Sequence, residues 1–286
     1  MKEHLMRVAM LVFCLLPALF SPLATSGEGG QSQSVTFGLV PQQSASKLAS
    51  LWGPIFAYLG RHAALEIKFR TAPDIPEFER RVAAGEYDIA YMNPYHYTVF
   101  SRSPGYRAFA KAKHKRIKGI LVVRKDSPLE SPRELDGATL AFPAPAAFAA
   151  SVLPRAYLKR EGISFTPRYV SSHDSVYRTV AKGLYPAGGG VVRTFNSVAP
   201  DVRGQLRILW KSKGYTPHAF AAHPRVSADV VERLTQAMLA MDKDEEGRVL
   251  LKSLSTKGFE SATDSDWDDV RALGIDLLED LVKPVQ

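Results

Sequence analysis

Polar and aromatic side chains follow the apolar segment at residues 88–92. Asn93, Tyr95 and His96 come directly after it, and Pro94 suits the first turn of a helix. In open α/β sheets, ligands bind beyond the carboxyl ends of strands. The amide, phenol and imidazole groups therefore predict one part of a binding site for a small polar ligand. The alternative is that Tyr95 and Tyr97 are ordinary packing residues.

A second candidate is a run of small residues that follows the strand predicted at 138–142. Ala147, Phe148 and Ala149 lie at the start of a helix predicted over 146–160, and only small side chains and prolines precede Phe148. The first N–H groups of a helix have no intrahelical acceptor and can bind an oxyanion. A tightly packed turn is the alternative.

The third candidate is another predicted helix start, at Ser172 and His173. Ser172 is a suitable N-cap for a helix over 173–182, and an imidazole beside free N–H groups favours an anion. The alternative is plain capping, in which Ser171 and Asp174 satisfy the first turn. Taken together, the three candidates point to binding of an anion.

Motifs for catalysis and for metal binding are missing from the sequence. It contains no G-x-S-x-G elbow, no H-E-x-x-H pair and no G-x-x-x-x-G-K-[ST] loop. The 7 histidines are scattered and Cys14 is the only cysteine, so we expect no metal site and no disulfide. The acidic residues at 264–269 are interpreted as complementing the dipole of the last helix. We expect neither enzymatic activity nor a cofactor.

Composition and charge narrow the class of protein. The chain has 286 residues, of which 45% are hydrophobic and 23% charged, as is usual for one large or two medium globular domains. The formal net charge is +8. The most basic stretch, residues 111–118, has no interleaved aromatic residues, which argues against nucleic-acid binding. We interpret it as a solvated surface, with a partner-binding patch as the alternative.

The first 26 residues have the layout of a secretory signal peptide. Lys2 and Arg7 precede or begin an apolar run over 6–19, and small residues follow at 24–26. The run is shorter than the roughly 20 residues of a membrane span. We therefore predict export to the periplasm, a polar tether over 27–34, and, as the alternative, an uncleaved membrane anchor.

Hydrophobic periodicity predicts alternating strands and helices after the tether. This alternation favours a mainly parallel sheet with helices on both faces. A Gly-rich strand at 187–192 lacks side chains, so another backbone or a ligand can approach it closely. The predicted strands are 35–40, 65–69, 88–92, 117–123, 138–142, 167–170, 187–192, 206–210 and 218–222. The predicted helices are 47–61, 77–84, a helix after Pro94, 146–160, 173–182, 228–242, 245–253 and 266–282.

Read in order, these segments resemble the phosphate, phosphite and phosphonate solute-binding proteins of ABC importers. The resemblance covers about residues 35–258 and is most specific at 85–94 (GEYDIAYMNP), followed by the Ser-His-Asp helix start at 172–174. It implies an α/β chain with a type II periplasmic binding fold, in which two lobes joined by two crossover strands enclose a ligand cleft. The implied division places 35–123 and 218–286 in the first lobe and 124–217 in the second.

The same resemblance implies roles for particular residues. Ala147, Phe148 and Ala149 stand where family members that bind phosphonates often carry a Ser-Thr-Ser-like run, so the hydroxyls are lost although the backbone amides remain. His173 matches a histidine that contacts the oxyanion, and Tyr95 lies near an aromatic position of the cleft. Arg193 follows the Gly-rich strand, near where binders of amino-phosphonates tend to carry an acid. An arginine there favours a purely anionic solute.

The resemblance implies a monomeric binding protein that delivers a small anionic solute to an ABC permease in the inner membrane. Closure of the lobes would trap the solute and create the form that docks on the permease. A sensory module that signals to a membrane partner such as a sensor kinase is the alternative, because it would use the same cleft.

Overall fold

Two mixed β-sheets organise residues 33–281, which are the residues that this computed structural model describes. The first sheet has six strands in the order β11-β4-β10-β3-β1-β2, and the second has five in the order β7-β6-β8-β5-β9. The strands in chain order are β1 (Gln33–Leu39), β2 (Leu65–Arg70), β3 (Ile89–Met92), β4 (Arg107–Ala112), β5 (Gly119–Arg124), β6 (Ala138–Phe142), β7 (Phe165–Tyr169), β8 (Ala187–Val191), β9 (Leu206–Lys211), β10 (Ala219–Ala222) and β11 (Phe259–Ser261).

Helices alternate with most of these strands. A π-helical turn (Phe148–Val152) runs directly into the fourth α-helix, and single 3₁₀ turns lie at Pro132–Leu135, Asp264–Trp267 and Glu279–Leu281. The α-helices are α1 (Ala45–Ala63), α2 (Ile75–Ala83), α3 (Pro94–Phe100), α4 (Leu153–Arg160), α5 (His173–Ala181), α6 (Val192–Asn196), α7 (Pro200–Arg203), α8 (Ala228–Ala240), α9 (Glu245–Ser253) and α10 (Asp268–Arg271).

Each sheet forms the centre of one lobe. The first sheet packs against α1, α8 and α9, where the buried face of α1 contributes Trp52, Ile55 and Phe56 to an apolar core. The second sheet packs against α5, whose Val176, Tyr177 and Val180 are fully buried. The chain crosses between the lobes at 113–118 and again at 212–218, and these crossovers pair antiparallel at Ile117 and Tyr215.

The sheets are less parallel than the alternation of elements predicts. Strand β10 lies antiparallel between β3 and β4, and β5 lies antiparallel between β8 and β9. Both reversals arise because the chain enters a sheet from the opposite lobe. The predicted strand at 117–123 corresponds to β5, and its pairing places it in the second sheet and not in the first lobe.

The predicted strands and helices agree with the structure within a few residues except near the carboxyl terminus. The predicted helix over 266–282 is instead a 3₁₀ turn and the short α10, which ends before Gly274 in the left-handed region (φ 59°). Short strands β4 and β11 were not predicted. Residues 33 and 34 of the predicted tether belong to β1, whereas the predicted signal peptide lies outside the described residues.

Another backbone occupies the space above the Gly-rich strand β8. A Cβ atom added to Gly189 would lie 1.8 Å from the carbonyl oxygen of Ala150, in the π-helical turn. On the neighbouring residue, a Cβ at Gly190 would lie 2.4 Å from the hydroxyl of Tyr177. The missing side chain at Gly189 therefore lets the π-helical turn lie directly on the second sheet. The missing side chain at Gly190 makes room for Tyr177 of α5.

We expect Gly189→Ala to lower the free energy of unfolding by about 1–3 kcal/mol or more, because the methyl group overlaps backbone that cannot rotate away. Urea denaturation measures this loss. The matched control is Gly53→Ala in α1, where an added Cβ meets nothing within 4 Å and stability should stay the same or rise slightly. Equal stability of the two variants would show that the turn does not rest on β8.

Candidate functional site

Two cavities lie between the lobes, around the crossovers. The inner cavity is small, about 10 Å³, close to the space that one water molecule needs. It is lined by Val40, Gln42, Ile75, Asn93, Ile117, Ala147, Phe148, Ala149, Ala150, His173, Val191 and His218. The larger cavity, about 330 Å³, is called the basic pocket below because its lining includes Lys115, Arg116, Lys118, Arg193 and Lys211.

Asn93 connects the first lobe to the second across the inner cavity. It is the N-cap of α3, where its Oδ1 accepts the N–H of His96 at 2.8 Å. Its Nδ2 donates to the carbonyl oxygen of Ala146, at 3.2 Å, in the second lobe. The predicted position of Asn93 at the carboxyl end of β3 therefore places a buried amide in the cleft.

The π-helical turn presents backbone N–H groups to the same cavity. Phe148, Ala149 and Ala150 occupy its first turn, so their amides have no acceptor within the helix and all three residues line the cavity. The side chain of Phe148 is buried and meets the ring of Tyr215 edge to face, with centroids 5.6 Å apart. The side chain of Phe148 therefore serves packing, and this residue offers the cavity only its peptide group.

His173 reaches the cavity as a neutral imidazole. It begins α5, after the N-cap Ser172, and its Nδ1 lies 3.0 Å from Oγ1 of Thr194. Burial, assisted by the positive charge of Arg193, lowers the pKa of His173 to about 3. Ser172 caps the helix by accepting the N–H of Ser175, so the predicted pairing of Ser171 with Asp174 is not the capping arrangement.

Arg193, Gln42 and His218 form a hydrogen-bonded chain between the lobes. The guanidinium of Arg193 in α6 donates to Oε1 of Gln42. Nε2 of Gln42 lies 2.9 Å from Nε2 of His218, which also stacks on the ring of Tyr91. Burial, and secondly the charge of Arg193, holds the pKa of His218 well below its usual value. A neutral His218 accepts the amide N–H through Nε2.

Tyr95 and His96, both predicted in the site, lie away from the two cavities. The hydroxyl of Tyr95 accepts the N–H of Leu278 at 2.9 Å, beneath the carboxyl-terminal segment. Nε2 of His96 lies 2.9 Å from the buried carboxylate of Glu79 in α2. Successive residues of a helix are rotated by about 100°, so only the N-cap Asn93 points into the cleft.

Gln42 and His218 were not predicted as site residues, although each follows a recognisable signal. Gln42 comes after Pro41 at the carboxyl end of β1, where open α/β sheets bind ligands. His218 comes after Pro217, in the second crossover immediately before β10. Pairing of the crossovers brings it to the cleft, and that pairing is not visible in the sequence.

The basic pocket combines cations with an aromatic wall. Trp52 and Tyr91 lie on one side, with ring centroids 5.2 Å apart. Nζ of Lys115 donates to the carbonyl oxygen of Ser255 at 2.5 Å, and burial, with Arg193 nearby, lowers the pKa of this lysine. Among the described residues that line the pocket, none is Asp or Glu.

Two α/β lobes that are joined by two crossovers and enclose polar donors define a type II periplasmic binding fold, as expected. The model of the family described as "ABC transporter, phosphonate, periplasmic substrate-binding protein" matches residues 37–267. The chain therefore belongs to this family, which confirms the resemblance. The family comprises transport binding proteins and not enzymes.

Similar proteins support the same conclusion. The phosphate-import protein PhnD of Mycolicibacterium smegmatis is 23% identical, over 89% of this chain and 84% of its own. A binding protein component of an ABC phosphonate transporter from Pseudomonas aeruginosa superposes with a TM-score of 0.78 at 17% identity, over 85% of this chain and 86% of its own. PhnD1 from Prochlorococcus marinus, solved with methylphosphonate, gives a TM-score of 0.77 at 17% identity, over 85% and 97%.

Two kinds of feature are absent from the described residues. Residues 33–281 hold no group of three or more His, Cys, Asp or Glu side chains placed to bind a metal ion. In the same part of the chain, no helix has the length and apolar character needed to cross a bilayer.

We expect acidification to cost this protein stability through His173. The folded state holds its pKa at about 3 and the unfolded value is 6.5, so its contribution is complete above pH 6.5 and is lost as pH falls towards 3. Between pH 7 and pH 4 the loss should be on the order of 3 kcal/mol. Urea denaturation at both pH values should show a smaller loss for His173→Asn.

The control for this experiment is His114→Asn, since His114 is 75% exposed. It should keep the pH dependence of the parent chain. If His173→Asn instead loses as much stability on acidification as the parent, His173 is not the buried neutral group described here.

Proposed function

We propose that this chain captures a phosphonate-, phosphate- or phosphite-like oxyanion in the interlobe cleft and delivers it to an ABC permease. One observation carries the proposal. Donors from both lobes converge on the cleft, and the described residues that line its two cavities include no carboxylate. Such a set of groups can replace the hydration shell of an anion. It contains no negative charge that would repel the anion.

The donors fall into three chemical kinds. Arg193 supplies a guanidinium, which forms charge-assisted hydrogen bonds with oxyanions. Asn93 and the first amides of the π-helical turn supply neutral N–H groups at the positive end of a helix. His173 and His218 line the cleft as neutral imidazoles, and because Nε2 of His218 accepts the amide N–H of Gln42, its own N–H is on Nδ1. Hydrogen bonds to a charged group contribute about 1.5–3 kcal/mol each.

Four or five such bonds are sufficient for useful capture. After the costs of desolvation and lobe closure, they are consistent with a binding free energy of about −8 kcal/mol, which corresponds to a dissociation constant near micromolar. Binding of that strength suits a carrier, because the solute must be released again at the permease.

The proposal places the chain in the periplasm as a monomer. It rests on the family described above and on the predicted signal peptide over 1–26. We place residues 124–217 in the second lobe together with β5, which pairs with β8 and β9. A sensory protein with a kinase partner would use the same cleft. The two roles differ in the membrane partner, so association with a permease and not with a kinase identifies the transport role.

We expect Arg193→Gln to weaken oxyanion binding by about tenfold or more, because one charge-assisted bond is lost. Phosphate, phosphite, methylphosphonate and sulfate are compared by thermal shift, in which a bound ligand raises the melting temperature by mass action. Titration calorimetry then gives the dissociation constants.

The matched control is Arg178→Gln on the exposed face of α5, which should bind as the parent does. Equal binding by Arg193→Gln and the parent would remove Arg193 from the site. No response of the parent chain to any of the four anions would contradict the proposed function itself.

A further inference from the structure

The basic pocket adjoins the inner cavity but is far larger. The two share Ile117, Val191 and His218 as lining residues, and their volumes are about 330 and 10 Å³. Cavities of roughly 300–1,000 Å³ typically hold small organic molecules. The basic pocket therefore has room for much more than an inorganic oxyanion.

One part of this pocket is apolar and firmly packed. Trp52, Leu254 and Phe259 are at most 7% exposed and belong to the core of the first lobe. Tyr91 stands between Trp52 and His218, at centroid distances of 5.2 and 4.9 Å. Contact between this apolar wall and a hydrated oxyanion adds no favourable binding free energy. Removing a carbon substituent of the ligand from water against the wall does add it.

The other part of the pocket is cationic. Arg116 is paired with Asp269 at 2.6 Å, but Lys118, Lys211 and Arg193 have no acidic partner among the described residues. Pairing of β5 with β9 sets Ile120 opposite Lys211 and so brings the lysine beside the crossover that carries Lys118. This part of the pocket therefore attracts an acidic group of a ligand and repels an ammonium group.

We propose that the solute is an organic anion with two acidic groups, a phosphoryl oxyanion and a carboxylate, joined by apolar carbon. This inference rests on the proposed function of the cleft. The oxyanion binds where the cavities meet, at Arg193 and His218. The carbon lies against Trp52 and Tyr91, and the carboxylate lies towards the two lysines.

Titration calorimetry of the purified protein with four phosphonates tests this proposal, because the series separates size from charge. The probes are methylphosphonate, phenylphosphonate, 4-carboxyphenylphosphonate and 4-(aminomethyl)phenylphosphonate. We expect phenylphosphonate to bind more tightly than methylphosphonate. The carboxylated compound should bind about tenfold tighter again, and the aminomethyl compound about tenfold weaker than phenylphosphonate.

A double variant, Lys118→Gln with Lys211→Gln, locates the effect. It should lose about tenfold or more in affinity for 4-carboxyphenylphosphonate and keep its affinity for phenylphosphonate within about threefold. The control is Lys182→Gln, an exposed lysine at the end of α5, which should bind all four compounds as the parent does. Urea denaturation confirms that each variant is folded.

The possible outcomes separate this inference from the proposed function. Tightest binding of 4-carboxyphenylphosphonate, lost only in the double variant, supports the inference. If methylphosphonate binds as tightly as the aromatic compounds, or if the double variant binds 4-carboxyphenylphosphonate as tightly as the parent does, the inference is overturned while oxyanion capture stands. If none of the four compounds binds, and phosphate, phosphite and sulfate do not bind either, both proposals are overturned.

Discussion

The positive charge of the half-buried Arg193 in the interlobe cleft is the constraint on which the rest of the proposed site depends. Burial is the largest cause of the lowered pKa values of Lys115, His173 and His218. Repulsion by the charge of Arg193 is the second cause for all three. No acidic side chain among the described lining residues offsets that charge. The fold therefore keeps both imidazoles neutral and leaves a guanidinium for which an external anion is the strongest available partner.

Ala147, Phe148 and Ala149 carry no side-chain hydroxyl, so anion recognition at this turn depends on other groups. Phe148 turns into the protein and packs against Tyr215, so Phe148 and Ala149 contribute peptide N–H groups and no side-chain donors. Those amides stay in position because Gly189 lets the backbone at Ala150 lie directly on β8. Side-chain donors come instead from Asn93, from the two imidazoles and from Arg193. In the proposed site, selectivity among anions thus depends on residues distributed over both lobes.

The sequence was sufficient for most of the fold and for part of the lining of the cleft. Helix caps and strand ends are local signals, and for that reason Asn93 and His173 could be predicted. Tyr95 and His96 show the limit of the same logic, because one turn of α3 carries neighbouring residues away from the cleft. His218 reaches the site through the pairing of two crossovers, 98 residues apart at Ile117 and Tyr215. Long-range pairing of this kind leaves no periodic pattern in the sequence.

Closure and recognition use the same polar contacts. Gln42 bridges to Arg193, Asn93 to the carbonyl of Ala146, and Lys47 to the carbonyl of Ser197, so each of these three interlobe hydrogen bonds ends on a neutral oxygen. An oxyanion is a stronger acceptor for a guanidinium than an amide oxygen is. In the proposed binding mode an oxyanion replaces Gln42 at Arg193, supplies the bridge that the amide supplied and binds more strongly. Since the anion can form that bridge only between approached lobes, its own charge is what favours the closed form.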